Sequence, residues 1–131
     1  MTDELYNELR VIRSRIESIE RGQEVLIRAD RKAVLAEILP EFQSDAVLGR
    51  VYIAVDGIRG QRQIQQELTN SGFAISEATV SRKLEKLKEL ELVAREDRTA
   101  AGNIYKKTQF DRALRLSIEV QRIIEGQTKA K

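Results

Sequence analysis

The chain contains no cysteine and no histidine. That excludes disulfide staples, zinc sites built on thiolate or imidazole, thiol nucleophiles and histidine bases together. It has a single proline, so little interrupts long helices. Aromatic residues make up 5%, and a core must therefore be built from Leu, Ile, Val and Ala. No apolar run approaches the roughly 18 residues that would span a bilayer. The acidic start Thr2-Asp3-Glu4 differs from the basic start of a signal peptide. A cytoplasmic protein with no membrane partner is expected. There is no Gly-rich phosphate loop after a strand and no metal-ligand cluster, and the acidic residues lie in helical charge patterns. No enzyme activity, cofactor or metal is expected.

What is present is charge and aliphatic periodicity. At 131 residues, 41% apolar and 34% charged, the chain suits one domain with an appended arm. Its net charge of +2 is unevenly placed. Residues 1–43 carry 7 Lys/Arg and 9 Asp/Glu, a net −2; residues 44–109 carry 11 and 9, a net +2; residues 110–131 carry 5 and 3, again +2. Such thin positive charge argues for a focused basic surface, or one completed by a second copy, rather than a general coat for nucleic acid.

Residues 1–43 read as a helical arm. Leu5, Leu9, Ile12, Ile16, Ile19, Gln23 and Leu26 follow alternating spacings of four and three, a heptad seam. With Leu9, Ile16 and Gln23 at a, positions g and e hold Glu8 and Arg15, and Arg13 and Glu20. In a parallel pair Glu8 faces Arg13 and Arg15 faces Glu20, both attractive. Isoleucine at d also admits trimers or tetramers. The seam can serve self-association or packing on the chain's own domain. Gly22 is either tolerated within one helix or marks a break. Leu35, Ile38, Leu39 and Phe42 form a buried stripe, and Pro40 is expected to end that helix.

Ser44 is a candidate cap for a helix from Asp45 to about Val55, with Val47, Leu48, Val51, Tyr52 and Val55 inward. Arg59 and Arg62 stand near the start of the next helix, 61–69, where backbone N–H groups and a cation can hold a phosphate. Ile64 and Leu68 are its buried positions, and Asn70-Ser71-Gly72 ends it. Ser76 then caps a further helix, with Glu77 in its favourable first turn and Ile75 and Val80 at the spacing of a hydrophobic staple. Val80, Leu84 and Leu87 face inward; Glu77, Thr79, Ser81, Arg82, Lys83 and Lys86 occupy the other face. Residues 92–96 and 103–108 read as two strands around a turn-rich tip at 97–102.

The run Ile64…Leu68…Ser76-Glu-Ala-Thr-Val-Ser-Arg…Leu84…Leu87…Leu90-Glu-Leu-Val93 resembles the winged-helix regulators of the multiple-antibiotic-resistance (MarR) and arsenical-resistance (ArsR) type, bacterial and archaeal. The resemblance covers about residues 45–109. It implies a mostly α fold with a small β-hairpin wing and a terminal helix that builds the dimer; the heptad seam adds a coiled-coil-like N-terminal helix. It implies that the helix at about 76–90 enters a major groove of double-stranded DNA. Many relatives carry Gly where this chain has Glu91.

The candidate DNA contacts are Arg59, Arg62, Glu77, Thr79, Ser81, Arg82, Lys83, Lys86, Arg98 at the wing tip and Lys106. The candidate oligomer contacts are Leu5, Leu9, Ile12, Ile16, Ile19 and Leu26 on the arm, with Leu116, Val120 and Ile123 on a C-terminal helix begun at Thr108. Three segments follow: 1–43, 44–109 and 110–131. The expected function is sequence-specific DNA binding by a homodimeric transcription regulator. The alternatives are an architectural protein that bridges duplexes and a winged-helix protein-interaction module. No residue announces a small-molecule effector.

Overall fold

A computed structural model describes residues 2–99 and 102–129. The described residues are mostly helical, with one two-stranded antiparallel hairpin. The first helix, α1 (Thr2–Ala29), has 28 residues and is about 42 Å long at 1.5 Å per residue. It runs unbroken through Gly22, so no break occurs there. The chain bends instead at Asp30, between α1 and α2 (Arg31–Gln43). Pro40 lies inside α2 rather than ending it. Both Pro40 and Ala36, whose carbonyl loses its i+4 donor, face solvent, where water can take that carbonyl.

The helix α3 (Ala46–Ala54) is capped by Asp45, not Ser44: the Asp45 carboxylate accepts the Leu48 N–H at 3.1 Å. Ser44 instead terminates α2. Leu48, Val51 and Tyr52 of α3 are fully buried, and Phe42 meets Tyr52 ring to ring at 5.6 Å. Next come α4 (Gln61–Asn70), a turn in which Gly72 takes φ +98°, and α5 (Glu77–Glu89). A side chain at Gly72 would be strained in that left-handed conformation. α5 packs against α3 and α4.

The helix α5 ends in a left-handed turn made by Glu91 itself, at φ 63°. The Glu91 N–H reaches Lys88 O at 2.9 Å and the Leu92 N–H reaches Leu87 O at 3.0 Å, the paired bonds of a Schellman closure. The hairpin is β1 (Val93–Thr99) and β2 (Gly102–Lys107). β1 runs past the expected end at 96, and a bulge at Glu96 separates the pairs Arg95–Tyr105 and Asp97–Ile104. Ala100 and Ala101, at the expected tip, lie outside the described residues. Gly60 adds an isolated antiparallel bridge to Ile104, so the segment before α4 closes the hairpin's free edge at one point.

The C-terminal segment is two helices rather than one, α6 (Gln109–Leu114) and α7 (Leu116–Lys129), broken at Arg115 with φ 54°. Asp111 explains the break. Its carboxylate accepts the Tyr52 hydroxyl at 2.7 Å, the Ser117 hydroxyl and the Ser117 N–H at 2.9 Å, so it serves α7 as a cap from the preceding turn. Burial, together with the Asp111 carboxylate, raises the Tyr52 hydroxyl far above its ordinary pKa. The α7 helix continues to Lys129, and Gln127 donates to the Phe42 and Gln43 carbonyls. It crosses α3 closely because Gly49 has no side chain: a Cβ there would sit 3.3 Å from Val120 Cγ1.

Candidate nucleic-acid interface

Ser76 accepts the Thr79 N–H at 3.1 Å and so starts α5. Burial of Val80, Leu84 and Leu87 fixes the helix rotation. Ala78, Arg82, Glu85 and Glu89 then point outward and are exposed, following the same four-three-four spacing. Arg82 lies against Thr79, with 3.5 Å between its guanidinium and the threonine hydroxyl. Glu77 faces solvent in the first turn, and Arg62 approaches it from α4 at 4.0 Å. Ser81 is half-buried on the flank. Positive charge on this face is therefore gathered at the N-terminal half of α5. Glu85 and Glu89, absent from the expected outer face, make its C-terminal half acidic.

Four further candidate cations, Arg59, Lys83, Lys86 and Lys106, are paired within the chain. Arg59 pairs with Asp56 at 3.2 Å and with Glu67. Lys86 pairs with Glu41 at 3.0 Å, and Lys106 with Glu96 at 3.9 Å. Such exposed pairs contribute about 0–1 kcal/mol, so a phosphate can compete for these cations. Lys83 differs. It lies 2.6 Å from Asp45, and the two side chains are only 27% and 19% exposed. It is turned toward α3 and away from the outer face, which corrects its place among the outward-facing residues: the side chain is committed to the cap of a neighbouring helix. Burial would raise the Asp45 carboxyl, but the Lys83 ammonium and the Leu48 N–H together hold it below its ordinary value.

On the hairpin, Arg98 and Lys106 are exposed. Lys107 turns the other way and lies 5.1 Å from the Tyr52 ring; burial lowers its pKa against the opposing pull of Asp111 and Asp56. Tyr105 is buried, and its hydroxyl donates to Glu85 at 3.1 Å, tying the hairpin to α5. Arg95, opposite Tyr105 in the register, is exposed. It is not among the expected contacts, although its place on the first strand is legible in the sequence.

The arm seam is open. Leu5, Leu9, Ile12, Ile16, Ile19 and Leu26 are 51–71% exposed. Only the last turns of α1 meet the domain, where Glu24 joins Arg28 at 2.6 Å and Arg112 of α6 at 2.9 Å. The Arg112 hydrogen bond is the main reason that the Glu24 carboxyl lies below its ordinary pKa. The C-terminal oligomer residues are placed differently from expectation. Leu116 and Val120 are fully buried in the protomer's own core, because α7 is drawn onto α3 at Gly49. Ile123 is half-buried against the same core.

Among the described residues no cluster of acidic side chains could hold a metal ion, and no helix is long and apolar enough to cross a membrane. No known family model matches the chain, and comparison with curated proteins and with solved structures likewise returns no match.

Proposed function

We propose that residues 44–109 are a winged helix-turn-helix of the MarR/ArsR-like kind, and that the chain is a homodimeric, sequence-specific regulator of transcription. In this reading α5 lies in a major groove of double-stranded DNA, with the hairpin as the wing along the backbone or minor groove. The observation that carries it is the outer face of α5. Its N-terminal half offers exposed Arg82 beside half-buried Thr79, flanked by Arg62 and the hairpin cations. Arginine there suits the O6 and N7 edge of guanine.

The arm supplies the second copy. Its seam is exposed over residues 5–26 and apolar but for Gln23, and in parallel register Glu8 of one copy faces Arg13 of the other and Arg15 faces Glu20. Full antiparallel overlap would set Arg13 against Arg13 and Arg15 against Arg15. A parallel arm leaves both DNA-binding domains at one end, able to share one duplex. An antiparallel arm would hold them apart on a rod of about 40 Å, which is the geometry of a duplex-bridging protein. The charge pattern favours the parallel arrangement, and with it the regulator over the bridge.

The test is selection of genomic fragments by the purified protein at near-physiological salt, followed by sequencing. An enriched inverted repeat supports the dimeric regulator and measures its half-site spacing. Retention without a motif favours the bridging protein. No retention at low salt leaves the protein-interaction module.

A further inference from the structure

Five arginines converge on one cleft of about 660 Å³ where the root of the arm meets the C-terminal helices. Arg28 comes from α1, Arg31 from α2, Arg112 from α6, Arg115 from the α6–α7 link and Arg122 from α7. Two carboxylates answer them. Glu24 is shared by Arg28 at 2.6 Å and Arg112 at 2.9 Å; Glu119 is shared by Arg31 at 3.1 Å and Arg122 at 3.3 Å. Against these two carboxylates three positive charges remain in excess, and Glu20 adds one further negative charge toward Arg112.

A guanidinium carries five N–H donors. Arg28 and Arg122 each give one hydrogen bond to these carboxylates. Their side chains are 56% and 70% exposed, and that of Arg112 is 74% exposed. Arg31 is the structural member, donating also to the Leu114 carbonyl at 3.1 Å. Arg112 spends its Nε and one Nη on Glu24, at 3.0 and 2.9 Å. The further donors of Arg28, Arg112 and Arg122, with exposed Arg115, face the cleft, and a planar guanidinium fork matches phosphate and carboxylate in bidentate fashion. A volume of this size is typical of small-molecule sites.

We propose that this cleft binds a compact polyanion, a small molecule bearing two or more phosphate or carboxylate groups. The four contributing helices lie outside α4, α5 and the hairpin, so the site is separate from the face assigned to DNA. A bound anion draws on Arg28 and Arg112, the residues that hold Glu24, and therefore acts on the contact that ties the arm to α6.

The experiment is calorimetric titration of the full chain with pyrophosphate and, separately, with citrate at near-physiological salt. It compares the natural protein, Arg115→Asn/Arg122→Gln and Arg82→Gln. Asn tolerates the left-handed backbone at 115, and both changed residues are exposed, so an unchanged circular dichroism spectrum will verify folding. Saturable binding is expected, weakened about tenfold or more in the double variant through loss of charge-assisted hydrogen bonds and unaffected in Arg82→Gln. Pyrophosphate alone would identify a phosphorylated ligand, citrate alone a polycarboxylate, and both the general polyanion site. The proposal is overturned by absence of saturation at millimolar probe, by equal weakening in Arg82→Gln, or by displacement of the probe by duplex DNA.

Discussion

The ammonium of Lys83 and the backbone N–H of Leu48 meet on one carboxylate, that of Asp45, at 2.6 and 3.1 Å. A residue of the outer helix thus completes the cap of an inner one. Asp45→Ala is expected to cost about 1 kcal/mol for the cap alone, and more with Lys83 left unpartnered. Asp45→Asn keeps the acceptor and should cost less. The pH dependence has a definite sign. Because the folded carboxyl lies below its ordinary value, its stabilisation is full above about pH 4 and is lost as pH falls through the lowered value. Urea titrations across pH 2–7 of the natural chain and Lys83→Met should converge at the acid end; a constant difference would rule the linkage out.

Arg82 and Lys83 are neighbours in sequence with opposite expected roles. Arg82→Ala should weaken binding to a selected duplex by about 1–3 kcal/mol if it reads a base, and relax selectivity there. Lys83→Ala should lower the melting temperature while leaving sequence preference intact. Fluorescence anisotropy with selected and scrambled duplexes separates the two. An equal loss from Arg82→Ala on both duplexes would mark a phosphate contact.

Glu91 holds a left-handed conformation that glycine adopts without penalty. Glu91→Gly is therefore expected to stabilise the fold by about 1 kcal/mol. The check is the denaturation midpoint, with an unchanged slope showing that the unfolded reference has not moved.

The arm invites a charge-swap test. Ile12→Asp should abolish self-association as read by sedimentation. Glu8→Arg should weaken it, and Glu8→Arg combined with Arg13→Glu should restore it if the helices are parallel. Failure of the double variant to recover would count against that orientation. Gly22→Ala, at a position with nothing within 4 Å of an added Cβ, should raise arm stability by about 0.8–1 kcal/mol.

Local signals were the legible part of this fold. Ser76 capped α5 as its hydroxyl predicts, and the four-three spacing of Val80, Leu84 and Leu87 set which face turned inward. The strand alternation that sends Lys106 outward and Lys107 inward was readable too. Terminators were less so. Pro40 continued a helix because the Ala36 carbonyl that it leaves without a donor faces water. The C-terminal helix broke at Arg115 because Asp111 takes Ser117, six residues on, together with Tyr52, which is distant in sequence. Around the candidate site, the outward placement of Arg82 was legible from helical spacing, whereas the turning of Lys83 toward Asp45 was not.

Periodicity and side-chain chemistry by themselves determined the elements and their apolar faces, because a hydrogen bond to the next turn or a heptad stripe depends only on near neighbours. They also determined that the arm carries a seam with matched charges. Tertiary structure alone decided which cations are committed and which stay available, because an ion pair depends on what a second element brings within 4 Å. It placed Leu116 and Val120 in the core rather than on a partner, through the missing side chain of Gly49. It also assembled the five-arginine cleft from residues 28 to 122, a gathering of like charge that no local pattern encodes.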